Sequence, residues 1–347
     1  MESRTVARVA VTVMCGTLLC AAAPVWTPQQ SGVAARLRGV SAVNDRVAWA
    51  SGSGGTIVRT RDGGSTWQQL TIPGSEKLDF RDIDAVSDDV AFVLSIGDGE
   101  SSRIYKTVDA GQTWSVQFTN ADPKAFYDAM AFWDADRGVA FSDSVDGQLV
   151  ILRTENGGRN WVRVPADGLP PALENEGAFA ASGTNVAVFG RDHVWIGTGA
   201  AAVARVLRST DGGRTWAAAA TPLAAGPSSG IFSIAFRDTL HGIVVGGDYR
   251  KEAEAVDNAA LTDDGGRTWK AVRGLSGFRS VVSYLPGIST TSELVAVGPQ
   301  GVDYSADDGR SWTALTGATG LHTFSFAKSG RVGWGAGEKG SVARLTF

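Results

Sequence analysis

Thiols are nearly absent from this chain of 347 residues: the two cysteines, Cys15 and Cys20, both lie within the first 23 positions. Beyond them there is no side chain for a disulfide, a thiol nucleophile, an iron–sulfur ligand or a cysteine-based zinc site. Histidine is scarce as well. His193, His241 and His322 stand at unrelated places in the chain's repeat, so spacing supports neither a metal trio nor a Ser-His-Asp arrangement. No excess of charge marks a polyanion or membrane partner: 32 Lys and Arg oppose 36 Asp and Glu, for a net charge of −4. A basic tract for nucleic acid and an amphipathic membrane helix are both missing. No cofactor and no metal is expected.

The first 23 residues differ from the rest. Arg4 and Arg8 precede an apolar run over 9–19, which ends in small residues at 21–23. This pattern predicts a secretory signal peptide over 1–23 and delivery to the periplasm or the exterior, with a retained anchor as the alternative. The run falls short of the ~20 residues that a membrane span needs, so no span is expected after cleavage. Neither cysteine follows a small residue, so a lipid-attachment site is not expected. The remaining chain, 24–347, carries a net charge of about −5 and reads as one domain, because no linker or low-complexity segment interrupts it.

A short phrase, Ser/Thr-x-Asp-x-Gly-x-Thr/Ser-Trp, recurs six times. Its Asp and Trp positions are Asp62 and Trp67, Asp109 and Trp114, Asp211 and Trp216, Asp264 and Trp269, and Asp307 and Trp312; a degenerate copy holds Asn156 and Trp161. The tryptophans are 47, 47, 55, 53 and 43 residues apart. Strand-like runs fill each interval, and a period near ~40–50 residues with four strands per unit marks a β-propeller. Within the phrase, Asp accepts hydrogen bonds from nearby backbone N–H groups and Gly supplies a positive φ. The Trp then buries a large ring between sheets. The phrase is the Asp box of the bacterial neuraminidase repeat, and its repetition in unit after unit reads as a structural staple.

Units run over about 37–75, 78–121, 126–167, 175–223, 230–274 and 277–317. Residues 321–344 repeat the first three strands of unit one, Trp334 matching Trp49, and the chain stops before a fourth strand. Trp26 to Ser31 resembles the outer strand that starts at Trp67. The predicted fold is therefore an all-β, seven-bladed propeller with Asp-box repeats, whose N-terminal strand closes the last blade and leaves no open sheet edge.

Residues 195–202 match a strand followed by G-x-G-x-x-A, but a third strand follows instead of a helix, so no dinucleotide site is expected. The loops joining the second and third strands are minimal in units one, six and seven, and longer and charged in units two to five. They share one face with the starts of the innermost strands. The candidate binding face draws on Arg38, Arg81, Asp98, Tyr127, Asp143, Glu176, Asp248, Tyr249, Arg250 and Arg279, with Arg81 and Arg279 as hooks for an anion or carboxylate. Charged loops of an acidic protein account for the same residues without a ligand. No complete catalytic constellation is present.

With seven such units, an expected signal peptide and units ending in the Asp-box phrase, the chain resembles the photosystem II stability/assembly factor family over about residues 25–347. That resemblance implies a non-enzymatic, monomeric scaffold that binds a membrane-complex subunit or assembly intermediate, aided by arginines on one face, of which Arg38, Arg81 and Arg279 are the candidates. Acidic insertions at Asp98, Asp143 and Asp248 depart from a basic face. Sialidases share the Asp box and supply the alternative, an exo-glycosidase or glycan-binding propeller. Their Arg-Ile-Pro phrase is absent, and a Tyr–Glu pair would have to come from Tyr127 or Tyr249 with Glu176.

Overall fold

The computed structural model describes residues 24–286, 292–328 and 330–347, so the expected signal peptide lies outside the described residues. Seven antiparallel four-stranded sheets are arranged around an axis, six of them built in chain order from the inside outwards. Blade one is typical: Leu37–Ala42, Ala48–Gly52, Thr56–Thr60 and Gln68–Leu70. Its inner strands are buried on both faces because neighbouring blades cover them, whereas the outermost strand leaves Gln68 and Gln69 exposed. Innermost strands contact one another in chain order, and the last of them touches the first.

Closure follows the expected route. Val25–Gln30 pairs antiparallel with Ser341–Thr346 and becomes the outer strand of blade seven, Trp26 standing opposite Leu345. The Trp26 ring is buried and meets Phe324 edge-on at 5.7 Å. Pro28 is tolerated because this is an edge strand. Gln29 locks the seam. Its Oε1 accepts from the indole N–H groups of Trp334 in blade seven and Trp67 in blade one, both at 3.2 Å, and its Nε2 donates to Gly63 O.

The repeated turns bind as their residue types require. Thr60 Oγ1 donates to Asp62 Oδ1 and accepts from the Gly64 N–H. Asp62 then receives the Thr66 N–H at 2.9 Å and the Thr66 hydroxyl at 2.7 Å. These last two bonds hold the Asp62 carboxyl down at about 2. The same bonds recur around Asp109, Asp211, Asp264 and Asp307. At Asn156 the backbone bonds persist, but Asn160 has no hydroxyl to complete the set. The tryptophan that ends each phrase packs towards the preceding blade: Trp114 meets Trp49 edge-on at 6.2 Å, and Trp67 packs in the cluster that holds Trp334.

Blade four departs from the pattern. Its innermost strand, Val186–Phe189, begins about ten residues later than the unit boundary near 175 predicts. The preceding stretch lies across the central channel. Ala180 O accepts from Arg81 of blade two, Ser182 Oγ donates to Ser280 O of blade six, and Ser182 O accepts from Thr323 of blade seven. Thr184 O accepts the Ile234 N–H of blade five. This plug divides the channel into two cavities, one walled by Ala178 to Ala181 and the other by Ser182 to Thr184.

Removing residues 26–31 should therefore lower Tm far more than excising the exposed 251–256 stretch, since only the first cut opens a sheet edge and uncovers core. Equal shifts in thermal melts would refute closure by this strand. Asp211→Ala, which strips a turn of its acceptor, should lower Tm by a few degrees through loss of charge-assisted hydrogen bonds; an unchanged melt would show that the turns do not staple the blades.

Candidate functional site

Five of the seven innermost strands open with a one-residue irregularity. Pairing with the second strand slips between Leu37 and Gly39, Phe80 and Asp82, Tyr127 and Ala129, Ile231 and Ser233, and Leu321 and Thr323. A bulge leaves one residue unpaired and re-aims its side chain. The residues passed over are Arg38, Arg81, Asp128, Phe232 and His322, and all five line one cavity of about 440 Å³ at the channel mouth. Ser280 lines it from blade six. The residue before each bulge points instead into the core between blades, as Leu37, Phe80 and Leu321 do.

This offset decides the fate of two sequence candidates. Tyr127 takes the place of Leu37: it is buried between blades two and three, edge-on to Phe118 at 5.1 Å. Arg279 occupies the same place in blade six, since Gly298 packs against Phe278 and Arg279 as Gly52 packs against Arg36 and Leu37. Its guanidinium is 1% exposed and pairs with Asp303 at 2.7 Å, so it faces no solvent-borne anion. Glu176 is also turned inward. It bonds Arg205, Thr198 and the Leu173 N–H, which anchors the foot of the plug.

The remaining candidates divide between the mouth and its rim. Arg38, Arg81, Asp143 and Tyr249 line the cavity. Arg250 lies over the Tyr249 ring at 5.7 Å, Asp248 caps its own loop by accepting the Arg250 N–H, and Asp98 is exposed beside Phe126. The sequence candidates did not include Phe126, Phe179, Phe232 and Phe278, which also line the cavity. The usable signal was the residue that follows the first buried apolar position of each innermost strand.

The mouth has three chemical sectors. Blades seven, one and two contribute His322, Arg38 and Arg81. Burial, with Arg81 and Arg36 close by, holds the Arg38 guanidinium down to about 10, and its Nε has no acceptor. Burial and Arg38 also push His322 down to about 4, although it bonds Glu338 at 2.9 Å; it is neutral at pH 7. Blade three contributes acid. Asp128 and Asp143 lie in hydrogen-bond contact, burial pushing Asp143 up to about 6 and Asp128 well above the usual carboxylate range. Two carboxyls this close share a proton. Blades four to six contribute rings: Phe179 stacks on Phe232 at 4.2 Å, Phe278 meets Phe232 edge-on, and Tyr249 lies across both Phe179 and Phe232. Among the described residues, no group of three His, Cys, Asp or Glu is placed to hold a metal ion.

The Asp143 carboxyl binds its proton more tightly folded than unfolded, so its burial costs nothing below pH 4 and its full penalty is felt above about pH 6. Asp143→Asn keeps an acceptor for the Ala178 N–H and removes the titration. Its Tm should match the parent at pH 4 and exceed it at pH 8; a gain that is the same at both values would show that this titration is not the cause.

Comparisons with known proteins agree with this architecture. The family model described as photosynthesis system II assembly factor YCF48 matches residues 20–164. No curated protein matches the chain. Among solved structures, "YCF48 bound to D1 peptide" superposes with a TM-score of 0.64 at 17% identity, covering 93% of this chain and 97% of that one. YCF48 from Cyanidioschyzon merolae gives 0.62 at 18%, covering 92% and 98%. A GH74 xyloglucanase from Xanthomonas campestris gives 0.60 at 15%, covering 92% of this chain and 53% of that one. At such identities the structures establish the fold alone, and the family model adds sequence likeness over the first three blades. The chain is a seven-bladed β-propeller that resembles the photosystem II assembly factors.

Proposed function

We propose that the protein is an exported, non-catalytic scaffold that holds a segment of a membrane-complex subunit, or of an assembly intermediate, in the mouth cavity. One observation carries this reading: the bulges aim side chains from separate blades into a single dead-end cavity of about 440 Å³. That space suits side chains of a peptide, whose flanking backbone would lie on the rim. Apolar rings beside buried ionisable groups form the kind of centre from which protein interfaces draw most of their affinity. Likeness to a family described as assembly factors, and a structural neighbour described as YCF48 bound to D1 peptide, support a protein segment as occupant. The signal-peptide pattern of residues 1–23 supports work in the periplasm or outside the cell.

A glycosidase reading finds less support. Most glycosidases set two carboxyls about 5–9.5 Å apart across the scissile bond, and sialidases use a Tyr–Glu pair, for which Tyr127 is buried between blades. Asp128 and Asp143 touch, and Glu176 is committed to Arg205. A D1-derived peptide is the first probe, titrated into parent protein and into Arg38→Ala and Phe232→Ala variants beside an assay with aryl glycosides. Each variant should weaken binding at least tenfold, and no glycoside should turn over. Arg38→Ala should change Tm little, whereas Phe232→Ala should lower it because its ring is buried among Phe179 and Phe278. Peptide binding indifferent to both variants, or turnover abolished by Asp128→Asn, would overturn the scaffold.

A further inference from the structure

Among the described residues, most buried carboxylates take a cationic side chain or a short N–H bond, whereas one pair is poorly supplied. Glu176 takes Arg205, Asp303 takes Arg279 at 2.7 Å, and Asp308 takes Arg237 at 3.0 Å. Asp82 takes the Met130 N–H at 2.7 Å. Asp128 is 1% exposed, and no donor reaches its Oδ2. Apart from the proton it shares with Asp128, its companion Asp143 receives only the Ala178 N–H, at 3.0 Å. Neither forms an ion pair among the described residues. Both line the open cavity, whereas Glu176, Asp303 and Asp308 do not. A buried carboxyl oxygen without a donor, on an acid with no cation beside it, is costly, and the cost falls when a cation arrives.

We propose that the Asp128–Asp143 pair receives the guanidinium of an arginine side chain from the partner. Two adjoining carboxyls present acceptors to a planar fork of N–H donors, a match that an ammonium point charge does not make. Phe126 and Phe179 line the same cavity and offer ring surface to the flat cation. The arriving charge takes over the role of the shared proton, which leaves for solvent, and both carboxylates then ionise against it. Arg38 and Arg81 on the adjoining wall repel a misplaced cation, so the acidic notch fixes the register of the bound segment. This inference rests on the reading of the mouth as a protein-docking cavity.

The test uses the soluble protein and the blocked peptide Ac-Gly-Arg-Gly-NH₂, with citrulline and lysine replacing arginine in two further peptides. Calorimetry should show the arginine peptide binding at least tenfold tighter than its neutral citrulline isostere, with lysine between them. Asp128→Asn and Asp143→Asn should each abolish that preference. Asp263→Asn, which alters an exposed carboxylate in a turn of blade five, should leave it intact. Equal binding of the arginine and citrulline peptides, or a preference that survives in both Asn variants, overturns the proposal. If only the preference is missing while a D1-derived peptide still depends on Arg38 and Phe232, the notch is refuted and the docking cavity stands.

Discussion

Everything in this molecule depends on closing a ring of sheets whose edges would otherwise stay unpaired. The last blade has three strands at the end of the chain, and the fourth arrives from its beginning. Gln29 holds that seam by accepting from two indoles that belong to different blades. Because the strand pairs along its whole length and buries Trp26, the join is as continuous as any blade-to-blade contact. The turns containing Asp62, Asp109, Asp211, Asp264 and Asp307 repeat on the far face, where they set the spacing of the outer strands and present each tryptophan to its neighbour.

Closure also fixes the mouth. Inner strands converge on an axis, and a bulge at the start of five of them converts one inward-facing position into a position over the channel. A single slip of register thus separates two functions within a pair of adjacent residues. Leu37 serves packing and Arg38 serves the cavity; Tyr127 serves packing and Asp128 serves the cavity. The bulged positions seed the sectors of base, acid and aromatic ring, and Asp143, Phe179, Phe278 and Tyr249 complete them from neighbouring strands and loops.

Strand order, blade number and the closing strand were legible because they are carried by repetition, by alternation of apolar residues and by the likeness of Trp26 and its neighbours to the strand at Trp67. The candidate face was legible as a face, and Arg38, Arg81, Asp143 and Tyr249 line one cavity on it. Its detail was hidden for two physical reasons. A bulge adds one residue without leaving a mark in composition, so Tyr127 and Arg279 read as strand starts facing the channel when they face the core. The stretch around Ala180 to Thr184 consists of small residues without periodicity, and only long-range hydrogen bonds to several blades reveal that it spans the axis. Glu176 was misleading for the same reason, since its partner Arg205 is 29 residues away in sequence.

The plug gives the channel a floor. A hollow propeller lets water and small solutes travel along its axis, so an occupant can enter at one end and be displaced from the other. Here Ser182 and Thr184 close that route. The upper cavity is a cul-de-sac: whatever enters must back out by the same opening, and its water must leave past it. Residence time in such a space is governed by a single exit, and the opposite vestibule can change its occupants without draining the first.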